Sequence, residues 1–435
     1  MGDNPSDDNT GAPGSDRRLA ADSGALMLAA VLNGGLGLVF WAVAARLLPV
    51  EDVGRASTAI MAATTIGALS NLSMGPFFER LLSTAGAPGR TLILRTHLVV
   101  AVLAAALAGG YLVVAPRDLF ADPRTAVLFV VTAVVVGAFA LQDSILIGLL
   151  RSRWTALKNI GHAVGKLILL IVLTLSVTHA TSVLLAWTVP AALAVAVVGG
   201  LIITGGGGLD RLFAGAGQLP STAALVREGA SLYGIVLVNS LLPMTVPLLV
   251  VHALGVADAA YFGVAWTLVA GVTLVLSVIS GPFVARAAAA DPAELPALIR
   301  GQTRLLAGVA VAAAVALGVV APIALELLGA GYADNARPLL LAMAVTQLLS
   351  VPGYLFGGLV RIRRRLGYAL CVQIGMALGV IGLSWALLHR LGLAGVGVAY
   401  LVMEFAMIAA VAVPLWRMLA GIGRCPAPGT QVPAR

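Results

Sequence analysis

"MGPFFERLL" (residues 74–82) and "SGPFVARAA" (residues 280–288) each place an Arg three residues after Gly-Pro-Phe, and they lie 206 positions apart. The same shift of 206 aligns residues 22–80 with 228–286 without a gap. Asn33 falls on Asn239, Leu48 on Leu254, Val50 on Val256, Asp52 on Asp258 and Arg80 on Arg286. Further along, a shift of 210 sets "GLLRSR" (148–153) on "GLVRIR" (358–363) and Gly165 on Gly375. Identities that keep their order and span position over most of two halves mark a duplicated unit, which constrains the architecture before any local assignment.

Composition says what was duplicated. The chain is 60% hydrophobic and 11% charged, with a mean hydropathy of +1.01. A soluble domain carries about a quarter charged residues, so this is a polytopic membrane protein. Twelve apolar segments run roughly over 24–45, 55–76, 96–115, 125–150, 160–178, 182–204, 229–251, 259–283, 305–325, 338–360, 367–388 and 395–416. Their length predicts helices, because a helix needs about 20 residues to cross about 30 Å of hydrocarbon and a membrane strand only about ten. Pro190, Pro243, Pro247, Pro352 and Pro414 fall inside spans and predict kinks.

The expected fold is all-α, with about twelve transmembrane helices in two pseudo-symmetric six-helix lobes. Residues 1–22 form a polar tail, 23–204 the first lobe, 205–227 a linker, 228–417 the second lobe and 418–435 a second tail. The linker "GGGGLDRLFAGAGQLPS" (205–221) reads as flexible from its glycines. The first tail reads as disordered, and the apolar stretch after it, about 24 residues, is too long for the h-region of a signal peptide. Six spans separate each copy from its partner, so both enter the membrane in the same direction. The halves are parallel repeats about an axis along the membrane normal, with any pathway between them.

The net charge of +8 lies in short connectors and does not indicate nucleic acid. Twenty Lys/Arg fall on the side of the N-terminus, six on the other side and Lys166 within a span. That bias predicts an integral protein of the cytoplasmic membrane with both termini cytoplasmic. Cys371 and Cys425 show no disulfide or metal spacing.

"ARLLPVEDVGRAS" (45–57), "ELLGAGYADNARPLLLAMA" (326–344), "RIRRR" (361–365) and "LAGVGVAYLV" (393–402) resemble the polysaccharide-export (Wzx-type) flippases of the multidrug/oligosaccharidyl-lipid/polysaccharide exporter superfamily. The resemblance runs from about residue 22 to 417. It implies two six-helix lobes around a central cavity and a polyprenyl-pyrophosphate-linked oligosaccharide flipped from the inner to the outer leaflet by alternating access. Implied partners are that lipid-linked saccharide, membrane lipids, and a polysaccharide polymerase with glycosyltransferases. A cation-coupled drug antiporter of the same superfamily and a lipid II flippase remain open as alternatives.

Ionisable groups inside a bilayer are costly, so each needs a partner or a task. Asp143 lies seven residues before Leu150 and Lys166 seven residues after Asn159, which puts both about 10 Å deep on consecutive antiparallel helices. An ion pair between them is expected; alternatively Lys166, with His162 one turn away, offers positive charge to a pyrophosphate. Asn33 and Asn239 occupy equivalent points of spans one and seven, as interhelical hydrogen-bond partners or as a symmetric pair lining the cavity. Glu404, the lone acid of span twelve, is the candidate for proton or sodium coupling, or is a protonated acid bonded to a neighbouring helix. Arg361, Arg363, Arg364 and Arg365 are a topogenic signal and a contact for anionic lipid. With Arg151 and Arg153 at the matching point of the other half, they also suit phosphate oxygens through bidentate bonds.

No enzyme chemistry is expected. "GHAVGKL" (161–167) has Leu167 where a phosphate loop needs Ser or Thr, and it lies within a span. Glu51 and Asp52 hint at a membrane glycosyltransferase, but the short outer connectors leave no room for an external domain. No cofactor or metal site is expected.

Overall fold

In lipid every backbone N–H and C=O must be satisfied inside the protein, so apolar runs of this length fold as helices. The computed structural model describes residues 34–175, 179–215, 222–291, 293–326, 328–362 and 366–422. The first half contains α1 (Gly34–Leu47), α2 (Val50–Ser70), α3 (Gly75–Leu81), α4 (Gly86–Val114), α5 (Pro123–Gly148), α6 (Ser152–Thr174) and α7 (Ala180–Thr204). A short α8 (Asp210–Phe213) leads to the second half, which holds α9 (Thr222–Leu254), α10 (Val256–Ala289), α11 (Leu295–Val315), α12 (Ala321–Glu326), α13 (Ala330–Leu349), α14 (Val351–Ile362), α15 (Leu366–Leu391) and α16 (Ala394–Ile422). A π-helical stretch, Ala316–Val320, joins α11 to α12.

Among the described residues nine spans are long and apolar enough to cross a membrane, α11 with α12 counting as one. A tenth is the pair α13 and α14, bent by 46° at the break between them. The chain is an integral membrane protein whose helices form two pseudo-symmetric sets of six. Segment ten is therefore a broken span rather than one rod.

Burial separates central helices from peripheral ones. On α4 the buried positions are Gly86, Gly89, Ile93, Thr96, Val100, Ala104, Ala108 and Tyr111, a single stripe at three- and four-residue spacing. Its other face, with Leu98, Val102 and Val113 exposed, meets lipid. In α2, fourteen of 21 residues are buried, and Ser57, Thr58, Thr65 and Ser70 are among them. A helix surrounded by protein can carry hydroxyls, which bond back to carbonyls of the preceding turn, as Thr65 and Ser70 do.

The two halves share one core at one end and have separate cores at the other. Phe40, Val53, Ala56 and Ala63 of the first half pack in one cluster with Val250, Ala260, Phe262 and Leu317 of the second. Towards the linker end, Phe78, Ile93, Ile145 and Ile202 form a core of the first half alone. Leu276, Phe283, Leu306 and Leu355 form another in the second half alone. The substantial helix contacts between halves are those of α2 with α9 and α10.

The α2–α10 crossing lies in the first two turns of both helices. A methyl group at Gly54 would overlap the Val256 carbonyl, and it would lie 3.0 Å from the Ala260 nitrogen. A methyl group at Gly263 would sit 2.7 Å from the Ser57 Cβ. Gly54 and Ala260 are 206 residues apart, as are Ser57 and Gly263. Each residue meets its own repeat counterpart, as it must where a two-fold axis passes through a contact.

Two features depart from what the repeat and the linker composition suggest. The Gly-Pro-Phe stretches, alike in sequence, do not follow the same backbone path. After α2 the chain turns through Leu72 (φ 49°) and Ser73 (φ 56°), and Gly75-Pro76 opens the separate helix α3. In the second half α10 runs unbroken through residues 281–283 to Ala289. The positions equivalent to Leu72 and Ser73 are Val278 and Ile279, and β-branched residues resist positive φ. The linker is also less free than its glycines suggest. Arg151 donates to the Gly207 carbonyl at 2.8 Å, Arg90 pairs with Asp210 at 3.2 Å, and the Ala87 amide donates to Gly215 at 3.0 Å. Residues 205–215 thus fold back on the first half, starting from Gly205 at φ 74° beside the Asp210 carboxylate.

Candidate functional site

Away from their crossing α2 and α10 diverge, and a cavity of about 1000 Å³ opens between the halves. On α2 it is lined by Ser57, Ile60, Met61, Thr64 and Thr65, and on α10 by Gly263, Trp266, Thr267, Ala270 and Gly271. The α2 set recurs at three- and four-residue intervals, which is one helical face, whereas on α10 Leu268, Val272, Leu274 and Val275 also line the cavity and a broader face is turned towards it. Trp41 of α1, Phe139 of α5 and Trp187 of α7 add aromatic wall, and Asn159, His162 and Lys166 of α6 add polarity.

Lys166 is 3% exposed, and its Nζ lies 3.7 Å from the centre of the Trp187 ring and 5.3 Å from that of Phe40. Two π-faces steady a desolvated ammonium without neutralising it. His162 directs Nε2 at the Trp187 carbonyl, 3.0 Å away, so Nε2 carries the proton and donates. Its ring rests between Phe139 and Trp187, at 4.9 and 5.8 Å. Among the described residues no carboxylate lines the cavity. The chamber is apolar and aromatic, with its positive group on one side.

The expected Asp143–Lys166 pair does not form. Asp143 pairs with Lys158 at 3.0 Å and accepts from Asn159 Nδ2 at 3.2 Å. Lys158 also donates to the Phe139 carbonyl and lies 3.4 Å from the centre of the Phe139 ring. The error is one of depth. α6 begins at Ser152, eight residues before the hydropathy boundary at 160, so Lys158 is already inside the helix. Lys158 is about 9 Å along α6 and Lys166 about 21 Å, whereas Asp143 is about 8 Å from the end of α5. Asp143 and Lys158 therefore share a level and Lys166 lies two turns beyond.

Asn239 is exposed on α9 and does not line the cavity, so the expected symmetric asparagine pair is not built from it; Asn33 lies outside the described residues. Glu404 is 7% exposed in α16, away from the cavity wall, and its Oε1 has no hydrogen-bond partner among the described residues. Arg151 is held by Gly207 and lies over the Trp154 ring, 5.5 Å from its centre, so it serves the linker fold rather than an open mouth. Arg153 and Arg361 are exposed, and Arg363, Arg364 and Arg365 lie outside the described residues.

Sequence reading missed Trp41, Trp187, Trp266, Ser57 and Lys158. A signal was present for Lys158, since Lys158, His162 and Lys166 recur every four residues and share one face of α6. The tryptophans gave none, because an aromatic in an apolar span looks the same whether it faces lipid or a chamber.

No protein-family model matches the chain, and no curated protein does. Solved structures do. The chain is similar to a structure described as the inward-facing conformation of a multidrug resistance MATE family transporter of the MOP superfamily, at TM-score 0.61 and 17% identity over 92% of this chain and 96% of that one. An outward-facing conformation so described matches at 0.61 and 12% identity, over 92% and 95%. The MATE multidrug transporter DinF-BH matches at 0.60 and 16% identity, over 96% and 98%. In fold, this chain is a two-lobed helical bundle like those of the MATE family transporters of the MOP superfamily.

Proposed function

We propose that the chain is a membrane transporter that moves an amphipathic, negatively charged cargo by alternating access of the cavity between its halves. The observation that carries this reading is the chamber itself. It lies between two repeats fused at one end and separate at the other, with Lys166 in its wall and no carboxylate among the described lining residues. Aromatic and aliphatic walls suit a hydrocarbon chain, and the buried Lys166 ammonium suits phosphate oxygens. A polyprenyl-pyrophosphate-linked saccharide moved to the outer leaflet of the cytoplasmic membrane combines both features, with both termini cytoplasmic as the charge bias predicts.

A second reading is a cation-coupled drug antiporter. The similar solved structures are described as multidrug transporters, and Glu404 is a buried acid of the second half available for coupling. Cavity charge separates the two readings, because a cationic drug gains nothing from Lys166. Deleting the gene tests them: the first predicts a lipid-linked saccharide trapped in the inner leaflet and loss of surface glycan. Intact glycan with new sensitivity to cationic dyes refutes it and supports the antiporter.

A further inference from the structure

We infer that the α2–α10 crossing is the gate of the fused end and that cargo acts on it through Ser57; this rests on the alternating-access reading above. Ser57 and Gly263 belong both to the crossing and to the cavity lining, so the roof of the chamber and the contact that closes it are the same residues. The contact consists of small groups at very close range. Gly54 lies against the Val256 carbonyl, and Gly263 against Ser57. The Ser57 hydroxyl stands 3.1 Å from the Gly54 carbonyl of its own helix and 3.4 Å from the Ala259 carbonyl of α10.

Such a seam is sensitive to small displacements, because close packing loses a quarter to a half of its attraction once a gap of about 0.5–1 Å opens. Glycine and serine themselves bury little apolar area, so the seam depends on close approach, while Val53 and Ala56 pack with Ala260 and Phe262 beside it. Cargo that engages Ser57 from below takes the hydroxyl that reaches across the seam, and cargo bulk at Gly263 presses on the contact directly. The repeat symmetry fits this role, because a seam on the two-fold axis lets both halves tilt away from it equally.

The test uses the full chain in oriented proteoliposomes, with Cys371→Ser and Cys425→Ser to remove both native thiols and Thr64→Cys as a reporter in the cavity wall. A membrane-impermeant maleimide reads its accessibility from each face. Gly263→Ala places a methyl group against Ser57, and it should raise labelling from the face bearing Pro49 and Gly255 at least threefold while lowering it from the other. Adding Ser57→Gly removes the group it meets and should return labelling to the parent level. If Gly263→Ala does not fold, Ser57→Ala alone should raise labelling from that face by a smaller factor. Labelling of the parent from both faces, unmoved by every one of these variants, overturns the gate and leaves alternating access standing. Labelling of parent and variants from one face only overturns both.

Discussion

Asp143→Leu offers a direct test of how charge is arranged in the first half. The substitution strands the Lys158 ammonium, whose side chain is 2% exposed, leaving it the Phe139 carbonyl and ring as partners. Removing one member of a buried pair costs about 3–5 kcal/mol. The Asp143 side chain is itself 31% exposed, so water already shares its charge and the cost falls at the lower end, about 3 kcal/mol. At about 2–4 °C per kcal/mol, this lowers the melting temperature by roughly 6–12 °C. Asp143→Leu/Lys158→Met replaces both charges by apolar groups of similar length and should recover all but about 1 kcal/mol. The second substitution thus restores about 2 kcal/mol in the Asp143→Leu background. Asp143→Leu/Lys166→Met should show no such recovery, because Lys166 sits two turns deeper against Trp187. Thermal unfolding of the purified protein in detergent, followed by the loss of helical circular dichroism, measures all four chains under one condition. Recovery by Lys166→Met and none by Lys158→Met would falsify the level assignment and reinstate the pair expected from hydropathy alone.

Lys166→Met should reduce transport at least tenfold while changing the melting temperature by no more than a few degrees, since about 1 kcal/mol of cation–π attraction is lost; unchanged transport in a vesicle assay removes Lys166 from the cargo site. Ser73→Gly should stabilise the chain by about 1 kcal/mol and Ser73→Ile destabilise it by about 1–2 kcal/mol, because position 73 has positive φ and only glycine takes that backbone freely. Gly148→Leu should be destabilising by at least about 2 kcal/mol, as any Cβ there overlaps the Phe78 carbonyl and pushes α3 off α5. A melting temperature within 1 °C of the parent for Gly148→Leu, on the scale of about 2–4 °C per kcal/mol, contradicts that contact.

Much of the architecture was legible in one dimension. Apolar length and the need to satisfy the backbone within lipid are local properties, so the spans, the helical class and the duplication could be read from the letters. His162 and Lys166, singled out by charge within a span, do line the cavity. Depth was less legible, because a hydropathy window ends where charge begins while a helix ends where its backbone turns. α6 starts eight residues before its apolar segment, and those two turns moved the partner of Asp143 from Lys166 to Lys158.

Patterning along the chain is enough to establish that two similar sets of six membrane helices follow one another in the same orientation. Tertiary structure alone decided where the halves touch, that Gly54 and Ser57 meet their own counterparts, and that three tryptophans face a chamber. It also decided that one Gly-Pro-Phe opens a new helix while the other lies within a continuous one. The physical reason is range. Hydrophobicity and helix formation act between near neighbours in the chain, whereas a crossing point or a cavity is set by side chains about 200 residues apart that meet only after both halves have folded.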